Sequence, residues 1–145
     1  METTKTFDNE PRARGVAVTG ASLKIDDEQT VLVGALGTAT AGEYGTATAG
    51  YRGTATAGYR GTAIAGEYGT AIAGYRGTAI AGDSGTATVG ISGTATAGEK
   101  GEIRIQWWDD KAERFRTVIG YVGEDGIKAN TKYRLDNNHN FVEVQ

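Results

Sequence analysis

The chain contains no cysteine and a single histidine, His139. Disulfides and thiolate metal sites are therefore excluded, and a metal centre or catalytic triad built on histidine has almost no material. No apolar run approaches the ~18 residues that a membrane helix needs. The opening stretch METTKTFDNEP has neither a basic n-region nor an apolar h-region, so no signal peptide is expected and the cytoplasm is the expected compartment. Charge of one sign is also missing. The net value is −3, and the segment 37–100 carries Arg52, Arg60, Arg76 and Lys100 against Glu43, Glu67, Asp83 and Glu99. No segment is basic enough to make nucleic acid the default partner, and none is acidic enough to imitate a phosphate backbone.

Large aliphatic side chains are scarce as well. Hydrophobic residues make up 39% of the chain, but much of that share is alanine, so a core of Leu, Ile and Phe cannot be large. Glycine, by contrast, is abundant and strictly placed. Octads of the form G-T-A-[T/I]-A-G-x-x begin at Gly37, Gly45, Gly53, Gly61, Gly69, Gly77, Gly85 and Gly93, and the last begins GTATAGEK. That density of glycine and β-branched threonine excludes helix. Alternation within each octad and a two-residue spacer between glycines read as short strand, turn, short strand.

One octad is too short to close a coil around an interior, so two are needed. The fold expected is an all-β solenoid of 16-residue coils, each rising about 4.8 Å. Residues 1–36 form an N-terminal segment and cap, 37–100 the solenoid, and 101–145 a small C-terminal β cap.

The flanking octads fix which side is inside. ASLKIDDE (21–28), QTVLVGAL (29–36) and GEIRIQWW (101–108) align in register with the repeat. Their third and fifth positions hold Leu23 and Ile25, Val31 and Val33, and Ile103 and Ile105, whereas the fourth holds Lys24 and Arg104. A charged residue is not buried without a partner, so positions three and five point inward and two and four outward. The core of the regular coils is then alanine, with Val89 the one enlargement. Thr38, Thr40, Thr54, Thr56, Thr70, Ile72, Thr86 and Thr88 form files on one face. Thr46, Thr48, Thr62, Ile64, Thr78, Ile80, Thr94 and Thr96 do so on the other. Such files are ordinary sheet surface for β-branched residues.

The spacer residues fall on two edges. Glu43-Tyr44, Tyr59-Arg60, Tyr75-Arg76 and Ile91-Ser92 share one, and Tyr51-Arg52, Glu67-Tyr68, Asp83-Ser84 and Glu99-Lys100 the other. Tyrosine and arginine dominate protein-interface hot spots. The candidate partner-binding residues are Tyr44, Tyr51, Arg52, Tyr59, Arg60, Tyr68, Tyr75 and Arg76, with the outward Ile64, Ile72 and Ile80 adding apolar area.

The stretch TATAGYRGTATAGYRG resembles the octapeptide repeats of bacterial ice-nucleation proteins through its Ala-Gly-Tyr, Gly-Thr and Thr-x-Thr elements. The resemblance covers the 64-residue repeat and implies a β-solenoid, outward threonine files that order water, and a tyrosine ladder or dimer contact at the turns. Glycine replaces the serine of that pattern, and three octads carry isoleucine for the second threonine. The array is also short, which sets nucleation itself aside and leaves ice binding through Thr38, Thr40, Thr54, Thr56, Thr70, Thr86 and Thr88 as the alternative activity. The tail resembles the C-terminal portion of uncharacterised bacterial and prophage-type repeat proteins, which implies a mobile-element setting.

In the tail, strands are expected near 102–108, 114–122, 131–135 and 141–145, with a mini-core of Trp107 or Trp108, Phe115, Ile119, Tyr133, Leu135 and Val142. Residues 1–12 read as mobile, Pro11 as the start of order, and Val16–Val18 as a first strand. The acidic pairs Asp26-Asp27, Asp109-Asp110 and Glu124-Asp125 fall in turns or strand ends, where carboxylates are solvated rather than catalytic. Asp136–Asn140 lacks the ligand spacing of a calcium loop, and neither GxxxxGK[ST] nor GxGxxG occurs. No cofactor is expected. The sequence points to a non-enzymatic protein-binding module, homodimeric through one edge or one flat face, with a phage-encoded inhibitor of a host defence complex as its most specific form.

Overall fold

Threonine at octad positions two and four and alanine at three and five give each octad one four-residue strand with an inner and an outer side. The computed structural model describes residues 15–16, 22–24, 26 and 28–144. Its strands run, in chain order, β1 (Gly15–Val16), β2 (Ser22–Lys24), β3 (Thr30–Val33), β4 (Thr38–Ala41), β5 (Thr46–Ala49), β6 (Thr54–Ala57), β7 (Thr62–Ala65) and β8 (Thr70–Ala73). They continue as β9 (Thr78–Ala81), β10 (Thr86–Val89), β11 (Thr94–Thr96), β12 (Glu102–Asp109), β13 (Arg114–Tyr121), β14 (Tyr133–Leu135) and β15 (Phe141–Glu143). There is no helix among the described residues.

Alternate strands stack into two facing sheets. One has the order β1-β3-β5-β7-β9-β11-β14-β15 and the other β13-β12-β10-β8-β6-β4-β2. Pairing within the solenoid is parallel with a 16-residue offset, as in Thr54 beside Thr70 and Ala63 beside Ala79. The result is a β-solenoid of about five coils. The flanking octads join in the expected register, with Ser22 beside Thr38 and Ile103 beside Ala87. Expectations placed on residues 1–14 and 17–18 lie outside the described residues, as do those for the side chains of Leu23 and Ile25.

The core is a double file of alanines, fully enclosed at position three (Ala39, Ala47, Ala55, Ala63, Ala71, Ala79) and nearly so at position five. Val31, Val33, Val89, Ile103 and Ile105 are the largest side chains buried completely, and they lie toward the ends. Lys24 and Arg104 are exposed, so the parity read from them holds.

Small side chains let the sheets approach until the corners have no room for a Cβ. A Cβ on Gly61 would stand 2.7 Å from that of Ala57 and 2.9 Å from the carbonyl oxygen of Gly45. One on Gly66 would meet the backbone carbon of Gly50 at 2.9 Å. Close approach, rather than a left-handed backbone, is what demands these glycines.

The cap corrects the expected mini-core. Phe115 and Ile119 are exposed, as is Trp108, whereas Ile103, Ile105, Val122, Ile127 and Tyr133 fill the interior. The reason is strand parity. β12 and β13 pair antiparallel, with Ile105 opposite Val118 and Arg104 opposite Ile119. Ile119 therefore shares the outer side with Arg104, and Phe115 shares it with its opposite residue, Trp108. Trp107 faces the other way, half-buried, and stacks on His139 with ring centroids 3.6 Å apart. Leu135 and Phe141 pack partly buried against the core, and Val142 is half-buried.

Candidate functional site

Each spacer forms a four-residue turn. Gly61 donates its N–H to the carbonyl of Gly58 at 2.9 Å, closing a turn through Tyr59 and Arg60. The second spacer residue is left-handed in every octad of the array. Tyr44, Arg52, Arg60, Tyr68, Arg76, Ser84, Ser92 and Lys100 all have φ between 53° and 62°. Glycine fills such a position without strain, and another residue there costs about 1 kcal/mol or more. The chain thus places side chains where glycine is favoured and glycine where Cβ atoms do not fit.

Coils are tied together at these corners. Tyr44 N–H donates to the carbonyl of Tyr59 at 2.8 Å, and Arg60 N–H to that of Tyr75 at 2.9 Å. The two edges read from the sequence form as expected. On the first, Tyr44 meets Tyr59 edge-on at 5.7 Å, and Tyr59 lies parallel to Tyr75 at 5.7 Å. On the second, Tyr51 meets Tyr68 edge-on at 5.8 Å. The alternation follows from position: Tyr59 and Tyr75 both open their spacers and stack flat, whereas Tyr44 and Tyr68 close theirs and project at an angle.

Guanidinium groups cover these rings. Arg60 sits 5.6 Å from the Tyr59 centroid and Arg76 5.5 Å from that of Tyr75. Arg52 lies between two rings, 5.5 Å from Tyr51 and 5.4 Å from Tyr68. Each contact is a cation–π pair, yet all five tyrosines are exposed. Stacking fixes the rings in place without removing them from solvent.

The first edge continues beyond Tyr75. Ile91 follows, and a shallow groove of ≈ 300 Å³ lined by Ile72, Tyr75, Thr88, Ile91 and Phe115 opens beside it. Phe115 was expected in the core and is instead part of this exposed surface. Trp107 and Trp108 occupy the next spacer positions of the octad alignment but lie within β12, where Trp108 meets Phe115 edge-on at 4.9 Å. The paired tryptophans of GEIRIQWW are the sequence signal for this aromatic cluster at the cap.

The threonine files lie where expected. Thr40, Thr54, Thr56, Thr70, Thr86 and Thr88 are half-buried, Thr38 is exposed, and on the opposite sheet the Thr94 hydroxyl donates to that of Thr78 at 3.3 Å. Among the outward isoleucines Ile72 is exposed, and Ile64 and Ile80 are half-buried. The two faces lie on opposite sides of the alanine interior and the two Tyr/Arg edges at its corners, so all four are distinct surfaces.

In the cap, Arg116 hydrogen-bonds to Asp109 and, with the N–H of Ala112, holds that carboxyl below the usual range. The N–H groups of Asn140 and Asn138 do the same for Asp136. Both arrangements close turns. No group of three acidic, histidine or cysteine residues able to hold a metal occurs among the described residues, and they include no helix long and apolar enough to cross a membrane. The chain matches no family model, no curated protein and no solved structure. What the fold defines is a β-solenoid built from a 16-residue repeat.

Proposed function

We propose that the chain is a non-enzymatic module that binds another protein through its Tyr/Arg corners, chiefly the file of Tyr44, Tyr59 and Tyr75 with Arg60 and Arg76. One observation carries this reading: side chains stand at strained left-handed corners, and the rings they hold are ordered yet exposed. Ordered aromatic and guanidinium groups lose little entropy on binding, which favours them as anchors. Tyr51, Arg52 and Tyr68 offer a smaller version on the other edge. Ile72 extends the first edge onto its neighbouring face, and Ile64 and Ile80 lie on the opposite face. The narrower form of the proposal, a phage or mobile-element inhibitor acting on a host defence complex, rests on the tail resemblance alone. The test is affinity capture from one extract with the wild type, a Tyr59→Ala/Tyr75→Ala variant and Thr54→Lys. A protein held by the wild type and Thr54→Lys but lost by the tyrosine variant supports the proposal, and equal retention by all three overturns it.

A second reading, ice binding in the manner of the repeats that the octads resemble, has the in-register file Thr38-Thr54-Thr70-Thr86 in its favour. Enrichment of the protein in growing ice, lost in Thr54→Lys, would establish it and displace the corner proposal.

A further inference from the structure

The strand β13 ends one sheet, and its outer edge carries no backbone partner among the described residues. Which groups face outward follows from the ladder. Val122 N–H donates to the carbonyl of Gly101, and antiparallel bonding alternates along a strand. The even-numbered residues 114–120 therefore bond to β12, and Phe115, Thr117, Ile119 and Tyr121 direct their N–H and C=O groups away from it. Of these only the Tyr121 carbonyl is engaged, by the N–H of Glu124. An eight-residue edge of this kind, with Phe115, Ile119 and Tyr121 exposed beside it, is a template for another strand.

We infer that β13 pairs antiparallel with β13 of a second copy, about a two-fold axis at Val118. That register is singled out because every outward-facing residue of the strand then meets an outward-facing one: Phe115 meets the partner's Tyr121, and Thr117 meets the partner's Ile119. An aromatic pair and an apolar–β-branched pair result, each occurring twice. Charge agrees with it. Arg114 and Glu124 are exposed and have no side-chain partner among the described residues. The register brings the Arg114 end of one strand to the Glu124 end of the other, in both symmetry-related places. Arg116 falls opposite Gly120, whose inner face is covered by Ile127 and Phe141, so its side chain stays beside Asp109, its hydrogen-bond partner in the same copy. The axis runs normal to the sheet, so the threonine face of one copy continues into that of the other. The dimer contact lies at the end of the solenoid, away from the Tyr/Arg corners, and does not depend on their role.

The absence of cysteine makes the test clean. At the axis, Val118 stands opposite the partner's Val118 as a non-hydrogen-bonded pair, the closer of the two antiparallel spacings and within disulfide reach. Full-length Val118→Cys should oxidise to a covalent dimer on a denaturing gel, while Asp83→Cys, on a corner, should form no covalent dimer there. The wild type should show twice the 15.1 kDa chain mass by light scattering. Thr117→Pro removes an N–H that has no partner within one copy, so it should give the single-chain mass with unchanged circular dichroism. A monomeric wild type overturns the inference, as it would if the edge instead receives an extended peptide. A dimer in which Val118→Cys does not crosslink also overturns it, by placing the contact elsewhere. Should Thr117→Pro fail to fold, the crosslink decides.

Discussion

The ring of Tyr59 lies 5° from parallel to that of Tyr75, with centroids 5.7 Å apart. Sixteen residues separate them in the chain, one full coil, and the repeat sets them side by side. Their parallel stacking is the consequence of occupying the same position of successive turns. Tyr44, one position later in its own turn, meets Tyr59 at 74° instead. A change as small as Glu-Tyr for Tyr-Arg thus alters the shape of the edge while the alanine interior stays the same.

Replacing Tyr59 and Tyr75 with alanine should leave the fold intact. Both rings are exposed, and an aromatic pair contributes about 0.5–1.5 kcal/mol. Urea unfolding should show a loss of that order for the double variant, with unchanged circular dichroism, while partner capture disappears. A collapse of the fold would mean that the ladder is a structural support first.

Ser92 tests the strain at the corners. It sits at φ 62° with no ring stacked on it, so Ser92→Gly should raise stability by about 1 kcal/mol. Arg60→Gly relieves the same strain but gives up the contact with Tyr59, and should weaken partner binding. Destabilisation by Ser92→Gly in chemical denaturation would contradict the strain account.

Close approach makes the opposite forecast for the corner glycines. Gly61→Ala puts a methyl against Ala57 and the Gly45 carbonyl, and should cost about 2–3 kcal/mol as overpacking. Ala71→Leu, in the fully enclosed file, should cost at least as much. Equilibrium unfolding measures both, and a neutral Gly61→Ala would show that the sheets have room to part.

Acid should loosen the cap before the solenoid. Asp109 and Asp136 have pKa values below the ordinary 3.8, held there by Arg116 and by the N–H groups of Asn140 and Asn138. A carboxyl depressed on folding contributes stability that is present above its unfolded pKa and lost as pH falls through the folded one. Tryptophan fluorescence, which reports Trp107 and Trp108, should therefore change below about pH 4 ahead of the far-ultraviolet sheet signal. Asp109→Asn with Asp136→Asn should remove that early step.

Much of this architecture was legible because two charges fixed a parity. Lys24 and Arg104 could face only outward, so Ala39, Ala41 and their equivalents faced in, and counting by sixteen assigned every corner to its edge. Phe115 and Ile119 were misjudged because hydrophobicity alone placed them in the core. Their side is set by the pairing of β13 with β12, which puts Arg104 opposite Ile119, and the length of the Asp110–Glu113 turn decides that pairing. The left-handed corners were also hidden. Glycine marks such positions in most turns, but here it is spent on close packing, and Arg60 or Tyr68 takes the strain.

The most direct test of the corner proposal is photo-crosslinking in cells that contain the partner, with a benzophenone amino acid placed in turn at Tyr75 and at Thr54. The account predicts an adduct with a second protein from position 75 and none from position 54. An adduct from position 54 alone would contradict it and make the threonine face the working surface.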